Sequence, residues 1–186
     1  KSYYTIAQFS SNLKNRTLTV NGVSKAFSMT GWRIGYAGGP SAIIKAMAKI
    51  QSQSTSNPTS ISQYAALEAL TSSQDFIIKN CEVFKIRRNL ITEIINNIDG
   101  LECNIPEGAF YIFPSINGIL GKKSDKGNII KDSTSFSEFL LDYAGVAVVP
   151  GIAFGMEGHF RISYATSEEV LIEAGKRIAE ACKKIY

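Results

Sequence analysis

The residues whose types and spacing most clearly suggest chemistry are Lys25 and Arg33, which lie in the segment GVSKAFSMTGWRIG. A lysine amine must be neutral to attack a carbonyl and form a Schiff base, and partial desolvation or a cationic neighbour favours that neutral form. An arginine supplies such a charge, and its planar guanidinium can bind a phosphate group through two hydrogen bonds. The pair is therefore compatible with Schiff-base chemistry beside a phosphate, although the same residues joined by a glycine-containing loop are common on solvated surfaces.

Two short β-rich runs must position this loop. Residues 17–20 (TLTV) form the first run, and residues 32–37 (WRIGYA) form the second, with turn-forming glycines after each. We expect two strands here, with Lys25 on the turn between them.

Helical periodicity follows the loop. A first helix is predicted from a cap at Ser41, and a second is predicted to open at Pro58, after the polar tract QSQSTSNP. A third, long amphipathic helix is predicted from Gln74 to Ile98, because apolar pairs recur there about every seven residues. Its Arg87-Arg88 pair is expected on the polar side, solvated or at an interface.

Beyond Asp99-Gly100 the pattern changes to short strands and loops. Strands are predicted at LECNI, AFYIF, VAVVP and HFRISY, with a helix around residues 136–143 and a final helix from Ser167. This alternation is typical of an α+β layer unit. We therefore place a domain boundary near residue 75, with residues 1–75 as the remnant of one domain and residues 76–186 as a second domain that includes the long helix.

The composition fits a globular protein. Of the 186 residues 45% are hydrophobic and 19% are charged, and the formal net charge is +4. The lysines and arginines are scattered, which favours a solvated basic surface over a nucleic-acid site. Cys81, Cys103 and Cys182 are widely spaced and odd in number, so neither a disulfide framework nor a metal site is indicated, and a cytoplasmic setting is expected. No apolar stretch approaches the roughly 20 residues of a membrane-spanning helix, so no membrane partner is expected.

The string from Ser24 to Tyr36 resembles the pyridoxal-phosphate attachment motif of the class I/II aminotransferases, S-K-x-F-x-M-T-G-W-R-I-G-Y. The similarity continues in order through PEGAFYIFP, AGVAVVPGIAFG and FRISYATSEE, so that it covers essentially the full chain. It points most closely to the bacterial aspartate aminotransferase subgroup, some members of which accept prephenate. The resemblance implies an α/β fold of type I, in which a remnant of the large cofactor-binding domain is followed by an α+β small domain.

The resemblance also implies a cofactor and roles for three residues. Pyridoxal 5'-phosphate would form a Schiff base with Lys25, which would then move the proton during transamination between aspartate, or a related amino acid, and 2-oxoglutarate. Arg33 would hold the cofactor phosphate, and Arg161 would bind the substrate α-carboxylate. His159, on the same strand as Arg161, is expected to be scaffold.

Family members are homodimers, and several of their active-site groups lie upstream of the segments that match here. The chain therefore resembles a carboxy-terminal fragment. Alone it is expected to bind the cofactor poorly and to turn over little or nothing.

Other interpretations remain open on the sequence. The motif specifies the cofactor better than the substrate, so an alanine, aromatic or prephenate aminotransferase of the same fold is the nearest alternative. A non-catalytic dimerisation module is another, although the presence of Lys25, Arg33 and Arg161 together argues against it. A nucleic-acid binder would need an aromatic-basic cluster. Taken by itself, Arg161 could be an exposed strand residue paired with a glutamate.

Overall fold

A computed structural model of the protein describes residues 3–186. The chain forms two compact units, of which the first ends at Ile77 and the second is Ile78–Tyr186. The boundary falls near the start of the long helix. Within the described residues, no helix combines the length and the apolar character needed to cross a membrane.

The first unit contains an antiparallel hairpin that carries the loop of interest. Strand β1 (Thr19–Gly22) pairs with β2 (Gly35–Gly38), with Thr19 opposite Gly38 and Gly22 opposite Gly35. The two predicted strands are therefore confirmed, but their bounds were wrong. The second strand does not include Trp32, because Thr30–Trp32 forms a 3-10 turn and the residue after it has left-handed backbone, which ends the turn before β2 begins.

Helical segments lie on both sides of the hairpin. A 3-10 turn (Ile6–Gln8) and the short helix α1 (Ser11–Lys14) precede it, and α2 (Ser41–Ser54) and α3 (Ser60–Thr71) follow it.

The predicted starts of α2 and α3 need correction. Ser41 is the first helical residue and not the cap, because the carbonyl of Pro40 accepts hydrogen bonds from the N–H groups of Ile43 and Ile44 at 3.0 and 3.1 Å. The second helix begins at Ser60 and not at Pro58, whose carbonyl instead accepts a hydrogen bond from the Gln63 side chain at 2.8 Å.

The long helix is confirmed as α4 (Asp75–Asn96). Its buried residues, Ile91, Thr92 and Ile95, all lie in its carboxy-terminal part. Arg88 is half-buried and donates from Nη1 to the carbonyl of Pro106 at 3.0 Å, and Arg87 is half-buried as well. Both arginines are therefore partly buried, and only one of the two expected settings, full solvation, is excluded for this pair.

A three-stranded antiparallel sheet forms the centre of the second unit. Its order is β3 (Tyr111–Ile112), β5 (Phe160–Ser163), β4 (Val149–Pro150), so that β5 lies in the middle. Helices α5 (Ser133–Ala144) and α6 (Glu168–Cys182) complete the unit. The final helix predicted from Ser167 is α6, and Ser167 is its N-cap, whose hydroxyl accepts from the Val170 N–H at 3.4 Å.

Two strand predictions in this unit were wrong. LECNI is not a strand, because the Asn96 side chain forms hydrogen bonds with both the N–H and the carbonyl of Cys103. Only a single β-bridge, between Glu102 and Ser115, remains in this segment. VAVVP is shortened to its last two residues, because the Val146 N–H donates to the carbonyl of Leu140 at the end of α5 instead of to a strand.

The second unit has a continuous apolar core. Side chains from α4, the sheet and the two helices meet there, and the largest fully buried ones include Ile91, Ile112, Phe136, Phe160, Tyr164 and Ile178. This core fixes the middle strand, β5, which carries Arg161.

Candidate active site

Lys25 lies on a single helical turn that connects β1 to the 3-10 turn. The turn is held by backbone hydrogen bonds from Phe27 N to Val23 O at 3.3 Å and from Ser28 N to Lys25 O at 3.2 Å. The Lys25 side chain is exposed. The local backbone therefore presents the amine on a turn of defined shape.

Arg33 closes the same connection. Its backbone is left-handed, with φ 55°, and Ser28 is also left-handed, with φ 54°. Side chains rarely adopt this conformation, and residues held in it cluster at functional sites. The Arg33 side chain is exposed, and its Nη1 donates to the carbonyl of Thr30 at 3.0 Å. That bond uses one guanidinium nitrogen and directs the side chain back across the loop.

A small apolar cluster packs against the loop that connects β1 to β2. Val23, Met29 and Ile34 are buried together with Ala66 of α3, and Phe27 packs against them. The buried residues are separated by exposed stretches of the loop, and Lys25 and Arg33 both lie in exposed stretches.

Arg161 lies on β5 in the second unit. The side chain is half-buried, and its guanidinium carbon lies 4.2 Å from the ring centroid of Tyr111 and 4.2 Å from that of Phe154. Within residues 3–186 it has no carboxylate partner. The alternative of an arginine paired with a glutamate is therefore not what the described residues form.

The segment that carries Phe154 is tied to the start of α5. The Glu157 carboxylate accepts from the backbone N–H of Ser133 at 2.5 Å and from that of Gly158 at 2.9 Å, and the Ser133 hydroxyl accepts from the Ile152 N–H at 3.2 Å. These hydrogen bonds lower the pKa of Glu157 below its ordinary value, with the Gly158 N–H as the largest cause.

His159 takes part in packing. Its ring stacks on Phe113 with centroids 5.3 Å apart, and its Nδ1 lies 3.0 Å from the carbonyl oxygen of Glu157. Phe113 in turn meets Phe154 edge to face at 6.0 Å. These contacts agree with a scaffold role for the histidine.

Tyr111 and Phe154 were not singled out from the sequence. A partial signal was present for Tyr111, because AFYIF was predicted to be a strand, but the pairing of that strand with the one that carries Arg161 was not predicted. No comparable signal marks Phe154, since it lies in a glycine-rich turn whose path depends on the Glu157 contacts.

Lys25 and Arg33 thus belong to one hairpin connection of the first unit, and Arg161 belongs to the second unit. Within residues 3–186 no cluster of histidine, cysteine, aspartate or glutamate side chains is arranged to hold a metal ion.

The chain belongs to the aminotransferase class I and II family, whose model matches residues 1–178. It is 58% identical to an aspartate aminotransferase of Rhizobium meliloti strain 1021 over 183 residues, which is 98% of this chain and 45% of that protein. It is 56% identical to an aspartate/prephenate aminotransferase of Cereibacter sphaeroides over 97% of this chain and 45% of that protein. The chain therefore spans about half the length of the curated relatives that it matches.

Solved structures agree. The crystal structure of the Rhizobium meliloti aspartate aminotransferase superposes with a TM-score of 0.96, at 58% identity, and the match covers 99% of this chain and 46% of that one. The aromatic aminotransferase of Pyrococcus horikoshii superposes with a TM-score of 0.85 at 41% identity, over 98% of this chain and 47% of that one. The α/β fold of the pyridoxal-phosphate-dependent aminotransferases, expected from the sequence, is confirmed.

Proposed function

We propose that the complete protein containing this chain is an aminotransferase that moves the amino group of aspartate, or a related amino acid, to 2-oxoglutarate with pyridoxal 5'-phosphate as cofactor. The observation that carries the proposal is the hairpin connection with Lys25 and Arg33, in a chain 58% identical to a protein named aspartate aminotransferase. The family implies the cofactor.

The residues on this connection fit the cofactor chemically. Lys25 supplies a primary amine for the aldehyde, and Arg33 supplies a guanidinium for the phosphate, with an exposed side chain on the same loop. When bound, pyridoxal phosphate supplies an electron sink for the negative charge that develops on the substrate α-carbon.

Each residue then has a distinct task. Lys25 would hold the cofactor through Nζ and would take the proton from the substrate α-carbon. Arg33 fixes the phosphate. Arg161 would bind the substrate α-carboxylate, for which a half-buried, planar guanidinium with no carboxylate partner among residues 3–186 is suited.

The domain assignment belongs to the same proposal. Residues 1–75 would be the carboxy-terminal part of the large cofactor-binding domain, and residues 76–186 the small domain with the long helix. The 186-residue chain alone would turn over little or nothing, because other groups that act on the cofactor lie outside it. The complete protein would act in the cytoplasm as a homodimer.

A second candidate concerns the substrate and not the reaction. Similar proteins are named aspartate/prephenate and aromatic aminotransferases, so prephenate or an aromatic amino acid is the alternative partner. The relative kcat/KM for aspartate, prephenate and phenylalanine on the complete protein distinguishes the two.

Transamination of aspartate with 2-oxoglutarate by the complete protein tests the proposal. We expect turnover that Lys25→Ala abolishes and that Lys45→Ala, at an exposed lysine of α2, leaves unchanged. Full turnover by Lys25→Ala would contradict the role of Lys25. No turnover of any amino acid by the complete wild-type protein would favour a non-catalytic module.

A further inference from the structure

The Arg161 guanidinium is held by aromatic rings. Its carbon lies 4.2 Å from the centroids of both Tyr111 and Phe154, and no carboxylate of the described residues pairs with it. A ring stacked on a guanidinium covers a face of the group and leaves its N–H edge free to donate. The contacts therefore hold the side chain without using the donors that a carboxylate needs.

Tyr111 is placed by the sheet. It pairs with Ser163 across the β3–β5 ladder, and Arg161 lies two residues before Ser163, so all three side chains share one face. A diagonal neighbour on the same face lies within reach of a long side chain. The register of a strand buried in the core thus fixes the first ring.

Phe154 is placed by the turn. It ends the 3-10 helix Gly151–Phe154, after which Gly155 adopts left-handed backbone with φ 73°. The Gly151 N–H donates to the carbonyl of His159 at 2.8 Å, and Glu157 ties the segment to the first residue of α5. A β-carbon on Gly151 would collide with the carbonyl oxygens of Met156 and His159, so the close path of this turn requires glycine.

The two supports matter because an arginine side chain has several rotatable bonds. A free arginine must be ordered when it binds a carboxylate, whereas one already held in place loses less conformational freedom on binding.

We propose that Tyr111 and Phe154 are positioning residues that form an aromatic clamp on Arg161 and so strengthen the binding of the substrate carboxylate. This inference rests on the proposed function of Arg161. The clamp acts on substrate affinity in both half-reactions, because the amino acid and the 2-oxo acid each present an α-carboxylate. It acts much less on the proton transfer by Lys25.

Kinetics of the complete protein test the clamp. We expect Phe154→Leu and Tyr111→Leu to raise the KM for aspartate and for 2-oxoglutarate on the order of tenfold, with a much smaller change in kcat. The ring-preserving variants Phe154→Tyr and Tyr111→Phe should stay near wild type. Tyr143→Leu is the matched control, because it removes a ring from another cation, Lys126, whose Nζ lies 4.3 Å from the Tyr143 centroid.

A second measurement does not depend on turnover. The Arg161 Nε–H group, observed by NMR in the complete protein without substrate, should be ordered in the wild type and in Phe154→Tyr, and mobile in Phe154→Leu. Equal order in all three proteins would overturn the clamp, as would a KM rise that is the same for leucine and ring-preserving variants.

The proposed function fails in a different way. If Arg161→Gln leaves both KM values unchanged, Arg161 does not bind the substrate and the clamp has no substrate to serve. If Arg161→Gln raises KM while the leucine variants of both rings do not, the function stands and the clamp is wrong.

Discussion

The two units of the chain differ in how much of their structure they stabilise internally. In the first unit the buried apolar residues of the described part are Val23, Met29, Ile34 and Ala66, whereas the second unit buries side chains from α4, α5, α6 and its sheet. Apolar residues at helical spacing in the first unit stay exposed, such as Ile50 at 71% and Tyr64 at 74%. Lys25 thus lies on a loop held by local hydrogen bonds and a small apolar cluster, whereas Arg161 lies on a strand held by a much larger core.

The largest expected effect is a loss of stability when the apolar core of the second unit is disrupted. Phe160 is fully buried, so Phe160→Ala should lower the free energy of unfolding by about 3–5 kcal/mol. The matched change Phe9→Ala, at a phenylalanine of the first unit that is 67% exposed, should cost less than about 1 kcal/mol. Urea denaturation of both variants measures the difference. Similar losses in the free energy of unfolding would mean that the two units do not differ in how strongly their cores stabilise them.

Hydrogen exchange compares the units within one intact chain. The Phe160 N–H, bonded to Pro114 O at 3.0 Å, should exchange at least roughly tenfold more slowly than the Val23 N–H, bonded to Ile34 O at 3.4 Å. The reason is that opening the second unit exposes far more apolar surface. Faster exchange at Phe160 than at Val23 would reverse the comparison.

These two regions also show what a sequence can predict. The helices were predictable because apolar residues repeat every turn over long segments, and Ser167 is a local signal for the start of the final helix. The turn expected at the glycine after TLTV was wrong, because Gly22 lies in β1 and pairs with Gly35. Lys25 and Arg33 were singled out as candidates because they lie in one continuous sequence motif, which is also a local signal. Strand lengths were not predictable, because groups of other elements compete for the backbone hydrogen bonds. The Asn96 side chain of α4 bonds Cys103, and the Leu140 carbonyl of α5 accepts from the Val146 N–H.

The two aromatic contacts of Arg161 could not be predicted from the sequence. Arg161 was identified from its motif, but its two ring contacts join residues 111, 154 and 161, which only the fold brings together. Their pairing depends on strand register and on a turn held by Glu157, and neither is encoded in a local pattern.

A smaller effect is expected on stability at low pH, where the Glu157 carboxylate becomes protonated. The folded-state pKa of Glu157 lies below its unfolded value, so its contribution to stability is present above the unfolded pKa, roughly pH 4.3, and is lost as the pH falls through the folded-state pKa. Glu157→Gln should therefore flatten the dependence of the melting temperature on pH in this range. Glu138→Gln, at an exposed residue of α5, serves as the control and should keep the wild-type slope. An unchanged slope in Glu157→Gln would show that these hydrogen bonds do not hold the turn.

The smallest perturbation is thiol labelling of the native chain. Cys81 is exposed, whereas Cys103 and Cys182 are buried, and burial raises the pKa of the Cys182 thiol to about 12. Cys81 should react with a disulfide reagent on the order of a hundredfold faster than Cys182, as mass spectrometry of the labelled peptides would show. Comparable rates would mean that the second core opens readily.

The most direct test of the central claim is chemical trapping at Lys25. Pyridoxal phosphate is added to the complete protein, the product is reduced with borohydride, and the labelled peptide is mapped by mass spectrometry. We expect a pyridoxyl group on Lys25, which is lost in Lys25→Ala and kept in Lys45→Ala. Label scattered over other lysines, or a Lys25→Ala protein labelled as fully as the wild type, would contradict it.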